Sequence, residues 1–248
     1  MTSEKKTEKI RIDVLVHQKG LAESRARAQA IILAGNILVD GMPLTKPGTP
    51  VPVTADITVK DTNPYVSRGG LKLQGALDSF GLSPEGRICL DVGASTGGFT
   101  DCMLQRGAVK VYSVDVGKHQ LHPKLRSDPR VVVLEEVNFR YFRPDSLKDP
   151  VTFVTIDVSF ISLDKILPVV SSCLGPGGQV VAMVKPQFEV LRGETRKGVV
   201  KDESLRHKAI EKIRSVASNI GFRINGAADA PIKGPQGNLE HFLWLEKE

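Results

Sequence analysis

The chain has 248 residues, 41% of them hydrophobic and 25% charged, with a formal net charge of +6 at pH 7. This is ordinary globular composition, long enough for one or two domains with a buried core, and its basic balance suits a polyanionic partner. Cys89, Cys102 and Cys173 stand far apart with no Cys-x-x-Cys pair, and His17, His119, His122, His207 and His241 show no ligand spacing. That excludes a zinc centre or a disulfide framework and leaves buried thiols of a reducing compartment. No apolar run of about eighteen residues occurs, and the amino terminus lacks the apolar stretch of a signal peptide. The expectation is a cytoplasmic protein without a membrane segment or a metal.

In chain order, Ile12, Val14, Leu15 and Val16, followed by Gly20, predict a short helix ending at a glycine. Ser24 reads as the N-cap of a second helix, Arg25–Leu33, with Ala26, Ala30, Ile31 and Ala34 as its apolar face and Arg25 and Arg27 off that face. Ile37–Val39, a turn at Asp40-Gly41, residues 42–44 and the later Val51, Val53, Ile57 and Val59 predict a small sheet. Residues 1–60 therefore make a compact α+β module. It resembles the RNA-binding domain first described in a small-subunit ribosomal protein, on Arg11-Ile12-Asp13, Ser24-Arg25, Ala28, Ile32, Gly35, Ile37-Leu38-Val39-Asp40-Gly41 and Lys46-Pro47-Gly48. The family usually has asparagine where this chain has Asp40. The resemblance implies that Arg11, Arg25, Arg27 and Lys46 grip RNA phosphates; the alternative is a solvated helix face.

Residues 61–66 read as a linker, and residues 67–248 as the second domain. Leu71, Ala76, Leu77 and Phe80 predict a helix over residues 71–80 whose first turn carries Lys72. A cation at a helix N-terminus opposes the dipole, which suggests a task for it. Ile88–Val92 predicts a strand that breaks into a loop at Gly93, Gly97 and Gly98 before a helix over residues 99–106, and a second strand over residues 109–114 ends at Asp115. The glycine spacing is not that of a dinucleotide site, and Asp91 stands where a pyrophosphate would sit. A carboxylate there suits a cationic ligand. S-adenosylmethionine has a sulfonium, an ammonium and ribose hydroxyls for Asp115; the alternative is glycines that only close a turn.

Further strands are expected at residues 131–134, 151–158, 178–184, 222–227 and 241–245, with helices at 161–173 and 203–220. Seven strands alternating with helices predict a Rossmann-like, doubly wound parallel sheet that binds ligands beyond its carboxyl ends. Asp91, Asp115, Asn138, Asp157 and Lys185 fall at or just past those ends. Adjacent tips bring Asp157 and Lys185 into ion-pair reach, and Glu240 at the start of the last strand joins them with Lys72.

Across nearly its whole length the chain resembles the hemolysin A or TlyA family of ribosomal RNA 2′-O-methyltransferases, whose catalytic domain is similar to FtsJ-type enzymes. The carrying stretches are Ser67-Arg68-Gly69-Gly70-Leu71-Lys72, Asp91-Val92-Gly93-Ala94-Ser95-Thr96-Gly97-Gly98-Phe99, Val114-Asp115-Val116-Gly117, Asp157-Val158-Ser159-Phe160, Val184-Lys185-Pro186-Gln187-Phe188-Glu189 and Gly237-Asn238-Leu239-Glu240. The resemblance implies a seven-stranded S-adenosylmethionine-dependent methyltransferase sheet and maps the catalytic tetrad onto Lys72, Asp157, Lys185 and Glu240. Lys185 is the candidate base for a ribose hydroxyl, or the group that steadies its alkoxide. Cofactor contacts fall to Asp91, Gly93, Ser95, Gly97, Gly98 and Phe99 on the methionine side and to Asp115 at the ribose. Asn138 would meet the adenine, with Asp157 nearby, and Phe160 would pack on the ligand or in the core. Arg68, Arg192, Arg196 and Lys197 are further RNA contacts, the last three on a basic loop that orders on binding. The expected partners are ribosomal RNA and ribosomal subunits, and the expected state is a monomer or weak dimer. The rivals are a non-catalytic ribosome-assembly factor and a pore-forming hemolysin, the latter lacking a membrane-spanning segment.

Overall fold

The structure, a computed structural model, describes residues 8–60, 63–191, 193–234 and 236–248. Arg192 and the first two residues of the expected linker lie outside these. The chain divides into two compact units, Met1–Asn63 and Pro64–Glu248.

In the first unit, β1 (Lys9–Arg11) leads directly into α1 (Ile12–Gln18), which is followed by α2 (Arg25–Leu33), β2 (Ile37–Val39), β3 (Met42–Pro43), β4 (Pro50–Pro52) and β5 (Ile57–Val59). Strand β1 pairs with β4, while β3, β2 and β5 form a second small antiparallel sheet. Ser24 caps α2, its side chain accepting from the Arg27 N–H at 3.1 Å. At the β2–β3 turn Asp40 and Gly41 both take positive φ, 49° and 78°, the turn that matches strand twist in a two-residue hairpin. The apolar face of α2 differs from the expected one: Ala28, Ile31 and Ile32 are buried, whereas Ala26, Ala30 and Ala34 are exposed. Alanine gains little from burial, so the two isoleucines decide which face turns inward. They join Ile12, Leu15, Val16, Ile37, Val51 and Ile57 in one small core.

The second unit begins with α3 (Arg68–Phe80), β6 (Ile88–Val92), α4 (Gly98–Gln105), β7 (Lys110–Val114), α5 (Pro123–Arg126), β8 (Val131–Leu134) and β9 (Phe153–Ile156). It continues with α6 (Leu167–Cys173), β10 (Gln179–Val184), α7 (Pro186–Glu189), α8 (Glu203–Asn219), β11 (Phe222–Asp229) and β12 (His241–Lys247). One seven-stranded sheet results, in the order β11-β12-β10-β9-β6-β7-β8. Strands β6 to β10 run parallel as expected, but β12 is antiparallel to β10 and β11 is antiparallel to β12. The sheet is mixed because a short loop, not a helix, joins β11 to β12, and a short loop forces a reversal of direction. Side-chain alternation divides the core between the faces. Leu90 and Val92 of β6 lie with residues of α6 and α8, while Cys89 lies with residues of α3 and α4. Cys89 and Cys102 are buried free thiols, and burial pushes them up to about 12 and about 11.

Candidate active site

The parallel strands end side by side, so whatever follows each one is delivered to a single edge. Asp157 lies one residue beyond β9 and Lys185 one residue beyond β10, and they pair at 2.5 Å. The Lys185 Nζ also donates to the Ser159 Oγ at 2.9 Å. Lys72 of α3 pairs with Glu240, just ahead of β12, at 2.5 Å. This second pair is enclosed, its side chains only 10% and 2% exposed. Gly234 makes the room: a Cβ there would stand 2.5 Å from the Glu240 Oε1. Lys72 is not in the first helical turn. The helix starts at Arg68, so the lysine escapes most of the dipole, and its pairing with Glu240 accounts for its position.

Three of the cavities along this edge meet beside the charged pairs. The first, about 430 Å³, is lined by the four charged residues with Phe160, Gln187 and Asn238 among others. The second, about 280 Å³, shares Lys72, Asp157 and Lys185 with it and adds Ser67, Arg68, Gly93 and residues 94–96. The third, about 240 Å³, is a mainly apolar slot between Val116, Phe139, Ile161 and Ile166, with Asp115 and Asn138 as its polar groups. Ser159 borders all three, so it sits at their junction.

The glycines of the turn also serve packing. Gly93, at φ 87°, lets β6 end against β9: a Cβ would lie 2.6 Å from the Asp157 carbonyl oxygen. Gly97 faces Leu121 and Leu125 and does not border the second cavity, and a Cβ on Gly98 would meet the Ser67 Oγ at 2.2 Å and the Gly70 nitrogen at 2.8 Å. Phe99 borders the second cavity, but it is 3% exposed with its ring against Phe242.

Asp91, expected on the methionine side of the cofactor, lies beneath the surface of the site. It is 0% exposed and borders none of the three cavities, accepting instead from the hydroxyls of Thr100 at 2.6 Å and Thr155 at 3.0 Å. Burial, opposed by those hydroxyls, pushes its carboxyl up to about 7. A group that holds its proton more tightly when folded loses stability for the fold as pH rises between its ordinary value of 3.8 and that raised value. Asp91→Asn has no such proton to lose, so the wild-type melting temperature should fall relative to the variant's between about pH 4 and pH 7. A difference between the two that is independent of pH contradicts this.

Asp115 stands where expected, its carboxylate accepting from the N–H of Ser95 at 2.8 Å and of Gly117 at 2.7 Å, which holds it at the mouth of the slot. The side chain of Asn138 caps the turn that follows, accepting from the Arg140 N–H. Phe160 is no core residue: it is 92% exposed, in a left-handed conformation at φ 62°, with its ring 5.1 Å from that of Phe188. Residues 196–200 of the basic loop are folded. Lys197 and Gly198 form a tight turn bridged by Arg196 and Val199, and buried Asn238 pins it by accepting from the Val200 N–H and donating to the Gly198 carbonyl.

In the first unit, Arg11 and Arg25 do not simply point to solvent. Both donate to the fully buried Asp13, at 3.0 Å each, and Gln29 adds a third donor at 2.8 Å. The Arg11 hydrogen bond leads in holding the Asp13 carboxyl well below the usual carboxylate range, against the cost of burial. Arg27 and Lys46 are exposed. Ser159, Glu189 and Asn238 shape the site; they lie in stretches that carry the family resemblance, but none stands out there as a functional residue. Glu189 is buried and accepts from the Ser162 hydroxyl, the Leu163 N–H at 2.8 Å and Lys212 at 3.0 Å, clasping the loops beyond β9 and β10 together. No local pattern marks such roles, because the partners are distant in sequence.

Fold and site together define an α/β domain built to hold a nucleoside-type ligand beside paired lysines and carboxylates, carried with a small basic α+β module. The FtsJ-like methyltransferase model matches residues 65–247, and the S4 domain model matches residues 10–57. The 16S/23S rRNA (cytidine-2'-O)-methyltransferase TlyA of Mycobacterium tuberculosis is 44% identical over 241 residues, 96% of this chain and 90% of its own. Hemolysin A of Brachyspira hyodysenteriae is 44% identical over 94% of this chain and 100% of its own. A solved hemolysin structure from Streptococcus thermophilus superposes with a TM-score of 0.76 at 46% identity, over 97% of this chain and 89% of that one. The chain belongs to the TlyA/hemolysin A family of FtsJ-like methyltransferases with an S4 domain. Among the described residues, no helix is long and apolar enough to cross a membrane, and no group of three or more His, Cys, Asp or Glu could hold a metal ion.

Proposed function

We propose that this protein methylates a ribose 2′-hydroxyl of a cytidine in ribosomal RNA, using S-adenosylmethionine, in the cytoplasm. The observation that carries the reading is the convergence of the Lys72–Glu240 and Lys185–Asp157 pairs on a junction between three cavities. The residues fit the cofactor. The apolar slot with Asn138 suits an adenine, Asp115 offers carboxylate oxygens to the ribose diol, and Gly93 and Ser95 border the way to the second cavity. Each lysine facing that cavity is neutralised by its own carboxylate, so a sulfonium is not met by a bare ammonium.

When bound, S-adenosylmethionine supplies an electrophilic methyl group on a sulfonium. The protein's part is to bring a ribose hydroxyl into the first cavity, in line with that methyl group, and to manage the hydroxyl's proton. Lys185, having first given up a proton to solvent, receives the hydroxyl proton as the oxygen begins to bond to carbon. Asp157 orients Lys185, while Lys72, held by Glu240, offers a positive charge to the developing alkoxide. The exposed Phe160 and the folded turn carrying Arg196 and Lys197 stand at the rim of the first cavity, where RNA would enter. Arg68 at the second cavity, and Arg11, Arg25, Arg27 and Lys46 on the S4 unit, contact phosphates. The anchoring of Arg11 and Arg25 on Asp13 fixes their guanidinium groups in advance, which lowers the ordering cost of binding.

The test is transfer of labelled methyl from S-adenosylmethionine to purified ribosomal subunits and intact ribosomes. Transfer to at least one of them is expected; cofactor binding with no transfer to any would overturn the reading in favour of an assembly factor. The S4 contribution has its own readout. Arg25→Ala plus Arg27→Ala should weaken RNA binding and reduce the slope of log affinity against log salt by about 1.5, leaving cofactor affinity unchanged. An unchanged slope would remove both arginines from the interface.

A further inference from the structure

We propose that Ser159 is a positioning residue for Lys185: its hydroxyl fixes the rotation of the lysine amine so that a free direction of the amine faces the ribose hydroxyl. The inference rests on the methyl-transfer reading above. A lysine nitrogen has three directions besides its own carbon. The ion pair with Asp157, at 2.5 Å, is not aligned as a hydrogen bond and leaves the amine free to turn about its last bond; the hydrogen bond to the Ser159 Oγ at 2.9 Å takes that freedom away. In the charged form the two other directions are N–H bonds. In the neutral form one N–H bond stays on Ser159, and the lone pair takes one of the two directions left. A base needs its lone pair aimed before the reaction begins.

Ser159 is itself held in place. The segment that carries it starts from β9, where the Asp157 N–H donates to the Val92 carbonyl at 2.9 Å and the absent Cβ of Gly93 lets the chain pass close by. Its far end is gripped by Glu189 through the Ser162 hydroxyl and the Leu163 N–H. Between them, Phe160 adopts its left-handed φ of 62° directly after Ser159, a strained turn that keeps the serine over the junction of the three cavities. A serine that merely lined the cofactor site would not need to accept from Lys185.

The experiment uses the full-length protein and the ribosomal particle that the wild type methylates, with Ser159→Ala and Ser159→Thr. The alanine variant should lose kcat by about tenfold or more, as a slightly misaimed catalytic group does. Its KM for the particle and its affinity for S-adenosylmethionine should stay within about twofold of wild type, and its melting temperature should be unchanged. Threonine, which keeps the hydroxyl, should recover most of kcat. A wild-type kcat in Ser159→Ala overturns the inference, as does a loss confined to cofactor affinity, or a threonine variant no better than alanine. A wild-type protein that transfers no methyl group overturns the underlying reading, and the inference with it; an active wild type with an indifferent Ser159 overturns the inference alone.

Discussion

Lys185→Ala should lower methyl transfer about a thousandfold, within the range that a positioned base contributes, with cofactor affinity and fold intact. The specificity of this result follows from where the lysine sits. Its side chain is 12% exposed and its partner Asp157 is 22% exposed, so deleting the ammonium leaves a carboxylate that water reaches. The stability cost is therefore small, and the loss is catalytic. Lys185→Arg separates the two roles that a lysine can play here. A guanidinium keeps the charge but does not give up its proton at working pH, so a base role predicts that arginine fares no better than alanine. Substantial rescue by arginine would instead assign the lysine to steadying the alkoxide. Full activity in Lys185→Ala would contradict the tetrad altogether.

Glu240→Ala, like Lys72→Ala, should be more destabilising than substitution of either Lys185 or Asp157. It strands the Lys72 ammonium in a position where its side chain is 10% exposed, beside a carboxylate that was 2% exposed. An uncompensated buried charge costs about 3–5 kcal/mol. For a unit of this size that is a fall in melting temperature on the order of 10 °C. Replacing both partners, as Lys72→Met with Glu240→Leu, should recover much of the stability, because apolar side chains of similar volume carry no desolvation penalty. It should recover no activity. A Glu240→Ala protein that melts like wild type would mean that the pair is not buried as described.

Strand and helix placement is readable wherever the local pattern is strong. Ile88–Val92 and Val131–Leu134 match their expected bounds, and Arg25–Leu33 follows its serine cap as expected. Strand direction is not readable in the same way. Residues 222–227 and 241–245 look like any other strand, and only the short connection between them, which holds Asn238 and Glu240, turns the sheet from parallel to mixed. The inward face of α2 escapes for a related reason: an i, i+4 series of alanines is as regular as the true Ala28-Ile31-Ile32 face but buries far less area.

The site is legible in its charges and less so in its supports. Tip residues are marked by a polar group closing an apolar run, which is how Asp115, Asp157 and Lys185 stand out. The glycines are marked too, but sequence does not tell whether a missing Cβ serves a ligand or another stretch of chain. Gly93, Gly97 and Gly98 all admit protein atoms. Asp91 reads as a ligand-facing charge because its burial under Thr100 and Thr155 depends on residues 9 and 64 positions away. Ser159 and Glu189 lie in stretches that carry the family resemblance, but their roles are not readable until the loops beyond β9 and β10 are folded against each other.

If these four side chains act as described, they methylate a ribose oxygen and not a base. The direct measurement is alkaline hydrolysis of RNA recovered from ribosomal particles incubated with labelled S-adenosylmethionine and either wild type or Lys185→Ala. A methylated 2′-oxygen cannot attack the neighbouring phosphate, so the wild-type product should carry its label in an alkali-resistant dinucleotide containing cytidine, absent with the variant. Label released in single nucleotides would place the methyl group on a base and contradict the account.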